Sequence, residues 1–185
     1  GKNHINWLQN KYQNVTEMHI DLTNTYKTLI SSVDKKYHSK LSLANTRARI
    51  RMSTLYMIAG SLRGIVVGTG NKVEDFGVGF FTKYGDGGVD ISPIADLMKS
   101  EVYDLGRDLG IIDEIIKAKP TDGLWDDGRT DEDQLGVSYD DLEWAMNYNN
   151  DGKNLTKEQS NILRVYKKHR TANLHKMKKI PVFKK

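Results

Sequence analysis

Residues 68–90 hold the densest group of side chains in this sequence that could do chemistry. Glycine occupies seven of these positions, namely 68, 70, 77, 79, 85, 87 and 88. Between the glycines lie a hydroxyl, a cation and several carboxylates that could bind a substrate or a metal ion: Thr69, Lys83, Glu74, Asp86 and Asp90. Glycine lets a backbone approach a ligand closely, whereas its conformational entropy disfavours it inside helices and strands. This composition predicts an irregular, ligand-binding loop.

A short apolar run precedes that loop and suggests where it lies in a fold. Residues 65–67 are Ile, Val and Val, a β-branched run typical of a buried parallel strand. In open α/β sheets, ligands bind at the carboxyl ends of the strands. The side chains of residues 68–90 would then meet a ligand at the sheet edge. On spacing alone the alternative stays open, in which the glycines form ordinary turns and the charged side chains are only solvated.

Basic side chains on two predicted helices are the other candidates for anion binding. Arg47 and Arg51 share one helix face by their i,i+4 spacing, and Arg49 points to roughly the opposite side. A solvated surface position is the alternative for all three. Lys99 falls in the first turn of a later helix, where a positive charge opposes the helix dipole. We therefore expect an anion close to Lys99.

Hydrophobic periodicity and capping residues predict the elements that would position these groups. Helices are predicted at residues 4–12, 21–33, 42–62, 97–109, 113–118, 138–148 and 156–170. A strand is predicted at residues 15–22. The expected helix caps are Ser42, Ser138 and Thr156. Side chains expected in the core include Val15, Met18, Ile20, Leu55, Leu62 and Trp144.

Two segments without hydrophobic periodicity are expected to be irregular. Residues 119–137 are rich in acids, and an unstructured loop of this length in a compact domain is usually a lid or is disordered. We expect a lid that closes when a ligand binds. The tail from Asn173 is polar and basic, and we expect it to be loosely held.

Composition bounds the class of protein. A chain of 185 residues, 38% of them hydrophobic, is long enough for one domain with a core. It contains no cysteine and no apolar run of transmembrane length, which predicts a cytoplasmic protein without a membrane partner. Residues 153–185 carry eleven basic residues and one acid, but no aromatic-studded basic stripe accompanies them. We therefore expect no nucleic-acid partner.

Five stretches together resemble the ammonia-dependent NAD+ synthetase family, part of the N-type ATP pyrophosphatase superfamily. They are RARIRM at 47–52, the glycine-rich residues 68–90, Lys99, KPT at 119–121 and DEDQLG at 131–136. The resemblance covers residues 4–148, with an echo at His175 and Lys176. It implies one NAD+ synthetase domain over residues 1–185, corresponding to the C-terminal two-thirds of the family domain. The implied fold is α/β, a three-layer parallel sheet of the adenine nucleotide alpha hydrolase-like (Rossmann-like) type.

The resemblance also implies a reaction and a set of binding residues. The reaction is ATP-dependent amidation of deamido-NAD+ with ammonia, through an adenylated carboxylate, releasing pyrophosphate and AMP. The implied ATP-binding residues are Thr69, Lys99 and Thr121, with Lys99 also catalytic. Glu74 is implied as the ligand of Mg2+. The implied deamido-NAD+ contacts, the last two reaching across a homodimer, are Arg49, Lys83, Asp90, His175 and Lys176.

One motif of the family has no counterpart here. The family's SGGxDS loop binds the ATP phosphates through backbone amides and supplies a metal-binding Asp, and the sequence contains no SGG. We therefore expect a fold incomplete at its N-terminus, and no NAD+ synthesis by these 185 residues alone. The alternatives are the synthetase domain of a glutamine-dependent NAD+ synthetase, or a non-catalytic nucleotide-binding remnant. A GMP synthetase would not account for residues 83–90.

Overall fold

A computed structural model describes residues 2–125, 127–149 and 154–185. The α-helices in chain order are α1 Lys2–Lys11, α2 Thr23–Ser31, α3 Lys40–Ser61, α4 Lys99–Asp108, α5 Asp113–Ile116, α6 Asp131–Leu135, α7 Tyr139–Asn147 and α8 Lys157–Met177. A 3-10 turn spans Lys35–Tyr37, and a π-helical segment spans Lys72–Val78. The seven predicted helices are thus present. The residues at 149–152 also predict a turn, and this segment lies largely outside the described residues. No described helix combines the length and the apolar composition that crossing a bilayer requires.

Local capping decides where the helices begin. The side-chain oxygens of Ser138 and Thr156 accept hydrogen bonds from the backbone N–H groups of Asp141 and Gln159, which confirms both predicted caps. The cap of α3 is Ser39 rather than Ser42, because the Ser42 N–H donates to Ser39 Oγ at 3.1 Å. The predicted cap was therefore wrong by one turn, since two serines three residues apart can each fill the role.

The predicted strands are largely absent from the described residues. Residues 15–22 form no strand, and Met18 is 58% exposed instead of lying in the core. Of residues 65–67, only Val67 forms a bridge, in parallel register with Ile91. A β-branched run becomes a strand only where a neighbour completes its hydrogen bonds. Among the described residues, that one bridge is all that forms of the predicted sheet.

The apolar side chains that are buried on α3 are not the ones that the sequence predicted. The buried residues of α3 are Ala44 and Ala48, in its N-terminal half. Leu55 and Leu62, expected in the core, are exposed, Leu62 to 69%. Helical periodicity identified one face of α3 but could not show which part of that face is covered by the rest of the described chain.

The core lies where the π-helical segment, α6 and α7 meet. Its buried residues are Val73, Val78, Leu135, Tyr139 and Leu142. A second cluster joins α7 to α8 through Ala145, Ile162 and Leu163, with Trp144 partly buried against it. The core therefore supports the glycine-rich residues 68–90, which are not irregular throughout as predicted. The side chain of Asn71 caps Lys72–Val78 by accepting from the N–H groups of Val73 and Glu74, and Gly79 in the left-handed region ends it.

The last helix extends farther than predicted. α8 continues to Met177, so the expectation that the chain is loosely held from Asn173 was wrong as far as that residue. Asn173 Nδ2 donates to the Val78 carbonyl at 2.9 Å, and Lys176 Nζ donates to the Gly79 and Phe81 carbonyls at 2.8 and 2.7 Å. These side chains hydrogen-bond carbonyls of the glycine-rich segment, which stabilises the end of the helix and the segment together.

Candidate active site

An ion pair between Glu74 and Lys99 lies at the centre of the candidate site. Glu74 is on the π-helical segment, and Lys99 is the first residue of α4. Lys99 Nζ lies 2.8 Å from Glu74 Oε1, and each side chain is only 16% exposed. Glu74 is thus the anion expected close to Lys99, and the structure brings together the predicted metal ligand and the predicted catalytic lysine.

Tyr139 and Asp131, to which the sequence analysis gave no role, complete this cluster. The Tyr139 hydroxyl donates to Glu74 Oε1 at 2.7 Å and lies 3.2 Å from Asp131 Oδ2. Lys99 Nζ sits over the Tyr139 ring, 4.7 Å from its centroid. The DEDQLG stretch already contained Asp131, but no spacing rule placed it beside Glu74. No signal in the sequence singled out Tyr139, the first residue of α7.

Asp131 is a buried carboxyl with a spare acceptor. It is 7% exposed, and its Oδ1 has no hydrogen-bond partner among the described residues. Burial, followed by the negative charge of Glu74, raises the pKa of Asp131. Burial also raises the pKa of Tyr139, again with Glu74 as the next cause. The site therefore disfavours further negative charge and would be stabilised by a cation.

The donor set of this cluster fits Mg2+. Glu74 and Asp131 both contact the Tyr139 hydroxyl, so their carboxylates are neighbours, and Asp131 Oδ1 is unpartnered. Mg2+ prefers oxygen ligands and is usually held by one or two carboxylates together with substrate phosphates. The described residues contain no group of three or more His, Cys, Asp or Glu side chains that could hold a metal ion. Two carboxylates suit a cation that shares its ligands with a substrate.

Asp75, the neighbour of Glu74 in the chain, lies in acidic surroundings. Burial, then the charges of Glu74 and Asp86, raises the pKa of Asp75 to about 6. Burial also raises the pKa of Asp86, whose Oδ1 accepts from the Thr82 N–H at 2.9 Å. The Asp75 carboxylate lies against Gly70, where an added Cβ would come within 2.0 Å of Oδ2. Glycine at position 70 therefore makes room for a half-buried acid.

A cavity of about 280 Å³ opens beside Lys99. Its lining includes Lys99, Tyr103, Lys117, Lys119, Pro120 and Tyr139. Thr121, a predicted ATP contact, is the residue after Pro120 in the chain. Its hydrogen bonds are to its own loop: Oγ1 donates to the Arg129 carbonyl and accepts from the Gly123 N–H, both at 3.3 Å. Thr69, the other predicted ATP threonine, is exposed just after the Val67 bridge.

α7 also fixes the start of α4. The Glu143 carboxylate accepts from the Ser100 N–H at 2.8 Å and from the Ser100 hydroxyl at 2.7 Å. A carboxylate at a helix N-terminus pairs with unsatisfied backbone N–H groups and with the positive end of the helix dipole. α7 thus contacts Glu74 through Tyr139 and positions the residue next to Lys99 through Glu143.

The predicted deamido-NAD+ residues fall into a second group, near the C-terminal end of α8. Arg49 donates to the Lys83 carbonyl through Nε and Nη2, both at 3.3 Å, and Lys83 Nζ donates to the His175 carbonyl at 3.1 Å. Lys176 is held by carbonyls of its own chain, and burial lowers its pKa. The structure therefore brings Arg49, Lys83 and His175 together and places Lys176 beside Phe81.

Asp90, the fifth residue of that set, makes structural contacts. Its Oδ2 accepts from the Val66 N–H at 2.7 Å, and its Oδ1 accepts from the Tyr56 hydroxyl at 3.2 Å. The Asp90 N–H in turn donates to the Val66 carbonyl at 2.9 Å. Asp90 therefore holds the Val67–Ile91 bridge in register, a role that the sequence analysis did not predict.

Two arginines of α3 contact the loop expected to be a lid. Arg47 Nη1 donates to the Leu124 carbonyl at 2.5 Å, and Arg51 Nη2 lies 3.5 Å from the Gly123 carbonyl. The shared face predicted for Arg47 and Arg51 is thus the face turned toward residues 119–137. Within that loop, a capping box at Thr130 starts the short helix α6, which the sequence analysis did not predict.

Comparison with known proteins identifies the family. The NAD synthase family model matches residues 3–185, so the chain belongs to the NAD synthase family. The NH3-dependent NAD+ synthetase of Methanosarcina acetivorans is 46% identical over 134 residues, which are 72% of this chain and 50% of that protein. The chain thus spans about half the length of the curated relatives it matches.

Solved structures agree with this assignment. The NMN synthetase of Francisella tularensis superposes with a TM-score of 0.79 at 32% identity, over 91% of this chain and 67% of that chain. The NH3-dependent NAD synthetase of Campylobacter jejuni gives a TM-score of 0.66 at 27% identity, over 89% and 64% of the two chains. The described residues therefore have the fold of the corresponding part of these synthetases.

Proposed function

We propose that the protein amidates deamido-NAD+ to NAD+, using ATP and ammonia. ATP adenylates the substrate carboxylate and releases pyrophosphate; ammonia then attacks the acyl-adenylate and AMP leaves. The observation that carries the proposal is the Glu74–Lys99 pair, set with Tyr139 and Asp131 in a chain that belongs to the NAD synthase family. Such a reaction needs positioning and charge neutralisation more than side-chain chemistry.

Lys99 and Glu74 have separate roles in this proposal. Mg2+, when bound, would neutralise charge on the ATP phosphates, with Glu74 and Asp131 supplying its carboxylate oxygens. Lys99, which pairs with Glu74 in the structure, would contact the ATP phosphates. Thr69 and Thr121 would hydrogen-bond the nucleotide. The pairing of Lys99 with Glu74 keeps both of these largely buried charges compensated.

The dinucleotide would bind near the second group of residues. Arg49 and Lys83, cations already joined through a backbone carbonyl, favour a phosphate-bearing substrate. His175, Lys176 and Asp90 complete the proposed contacts, with the first two serving the partner subunit of a homodimer. Because Lys176 and Asp90 already have partners within the chain, substrate binding there would require them to exchange those bonds.

The proposal extends to the fold and to the location of the protein. We propose that the Val67–Ile91 bridge is part of a three-layer parallel sheet of the adenine nucleotide alpha hydrolase-like type. The absence of cysteine fits a reducing cytoplasm, which is the proposed location.

One observation favours an alternative product to NAD+. The Francisella tularensis protein that covers 91% of this chain is an NMN synthetase, which makes the mononucleotide NMN the rival product. The rival substrate would be NMN with a carboxylate in place of the carboxamide. The two substrates differ in the AMP half of the dinucleotide, so a direct comparison of kcat/KM separates them.

The test is a turnover assay of the intact protein with ATP, Mg2+ and ammonia. Deamido-NAD+ and the mononucleotide acid are supplied in separate reactions, and AMP and the amide product are measured. Lys99→Met should reduce kcat by on the order of a hundredfold or more. Lys117→Met is the matched control, because Lys117 lines the same cavity but pairs with Asp113 at the surface. Full activity of Lys99→Met, or preference for the mononucleotide, would refute the proposal.

A further inference from the structure

Tyr139 contacts three charged groups of the candidate site, yet the proposed reaction gives it no role. Its hydroxyl reaches Glu74 Oε1 and Asp131 Oδ2 at 2.7 and 3.2 Å, and its ring lies under Lys99 Nζ. Its backbone N–H donates to Glu132 Oε1 at 3.0 Å. These contacts come from three different elements, so Tyr139 lies where α4, α6 and the π-helical segment meet.

A purely structural role would not need the hydroxyl. The Tyr139 ring packs in the core with Val73 and Leu142, and phenylalanine would fill the same space. Tyr139 is 6% exposed, and burying a hydroxyl costs free energy unless it forms hydrogen bonds. Its single proton goes to the closer oxygen, that of Glu74. The hydroxyl thus adds nothing to apolar packing. It donates to Glu74 Oε1, the oxygen that also binds Lys99 Nζ, so the hydroxyl and Lys99 together orient the carboxylate.

We infer that Tyr139 is a positioning residue, which holds the Glu74 carboxylate in the orientation that receives the divalent cation. This inference rests on the proposed function, in which Glu74 is a metal ligand. A glutamate side chain has several rotatable bonds, and ordering it costs conformational entropy that its hydrogen-bond partners must offset. The Tyr139 hydroxyl fixes the carboxylate before the cation arrives. Groups that orient a metal ligand in this way typically contribute 10- to 100-fold to metal affinity.

The experiment measures Mn2+ binding by electron paramagnetic resonance in the intact protein, without ATP or deamido-NAD+. Mn2+ shares the preference of Mg2+ for carboxylate oxygens and is visible by this method. Tyr139→Phe removes the hydroxyl and keeps the ring. Tyr103→Phe is the matched control, because Tyr103 lines the cavity beside Lys99. Glu74→Gln tests the ligand itself, and thermal melts of the metal-free variants report folding.

Tyr139→Phe should weaken Mn2+ binding about 10- to 100-fold, and Tyr103→Phe should not change it. In turnover assays, Tyr139→Phe should raise the Mg2+ concentration needed for half-maximal rate while the rate at saturating Mg2+ changes much less. Unchanged Mn2+ affinity in Tyr139→Phe, together with loss in Glu74→Gln, would overturn the positioning role and leave the proposed function standing. Unchanged affinity in Glu74→Gln would instead refute Glu74 as a ligand. An unfolded Tyr139→Phe would make the hydroxyl a requirement of the fold and would also overturn the inference.

Discussion

The contact between α8 and the glycine-rich segment can be tested at Gly79. This residue has a φ of +66°, and an added Cβ would lie 2.6 Å from Asn173 Cβ and 2.9 Å from Met177 Cε. Alanine at position 79 therefore meets two penalties, one from its backbone conformation and one from the space that α8 occupies. Asn173 Cβ cannot turn away without moving the helix, and that movement would break the bond from Asn173 to the Val78 carbonyl.

Gly110 allows the two penalties to be separated. Its φ is +68°, almost that of Gly79, but an added Cβ meets nothing within 4 Å. Gly110→Ala should therefore lower the free energy of unfolding by the conformational term alone, about 1–2 kcal/mol. Gly79→Ala carries the same term and a further ~1–3 kcal/mol for overpacking. Both substitutions reduce the conformational entropy of the unfolded chain equally, so this effect cancels when their free energies of unfolding are compared.

The measurement is urea unfolding followed by circular dichroism, with thermal melting as a second readout. We expect Gly79→Ala to lower the free energy of unfolding by about 2–5 kcal/mol in total. For a chain of this size, each kcal/mol corresponds to about 2–4 °C in Tm. Equal losses in Gly79→Ala and Gly110→Ala would refute the close contact between α8 and Gly79.

Three further predictions concern charge, substrate and the loop at residues 119–137. The pKa of Asp75 is raised from 3.8 to about 6, so the folded state binds more protons than the unfolded state between these values. Stability should therefore fall as pH rises from about 4 to about 6, and Asp75→Asn should flatten that part of the pH profile of unfolding. Lys83→Ala should raise KM for deamido-NAD+ about tenfold and leave KM for ATP nearly unchanged. Arg47→Ala should speed amide exchange around Leu124, and an ATP analogue should slow exchange across the loop in the unchanged protein.

Each of these predictions has a control and an opposing result. An identical pH profile in Asp75→Asn would mean that another group titrates. Lys168 lies on the exposed surface of α8, and Lys168→Ala should leave both KM values unchanged. If Lys83→Ala raised KM for deamido-NAD+ and KM for ATP equally, a folding defect would be indicated. Arg164→Ala, an exposed arginine bonded to Asn161, is the control for Arg47. Exchange that does not respond to the ATP analogue would argue against a lid.

Local signals in the sequence predicted local structure well. A helix cap such as Ser138 depends on a residue only three positions away, here Asp141, so a short stretch of sequence contains both partners. Strands depend on distant neighbours, so the β-branched residues 65–67 looked like a full strand although only Val67 forms a bridge. The same limit applies to Leu62, whose exposure depends on what else packs against α3.

The candidate site shows the same division. The family resemblance pointed to Glu74 and Lys99. These residues are 25 positions apart in the sequence, and the fold brings Lys99 Nζ to 2.8 Å from Glu74 Oε1. No periodicity or spacing places Tyr139 at Glu74, because that contact spans 65 residues and requires α7 to pack on the π-helical segment. Asp90 was predicted as a ligand contact, and its bonds to Val66 and Tyr56 could not be inferred without the tertiary structure.

The two attachments of α7 limit how this site can be tuned. Tyr139 and Glu143 both lie on α7. Tyr139 hydrogen-bonds Glu74, and Glu143 hydrogen-bonds Ser100, the residue next to Lys99. One helix therefore contacts both sides of the Glu74–Lys99 ion pair. A small rotation of α7 would therefore displace the carboxylate and the start of the lysine-bearing helix together. Mutations that tilt α7 should alter cation affinity and nucleotide affinity in a correlated way. Variants that improve one without the other should instead arise in α4 or in the π-helical segment, where each charged side chain can be adjusted separately.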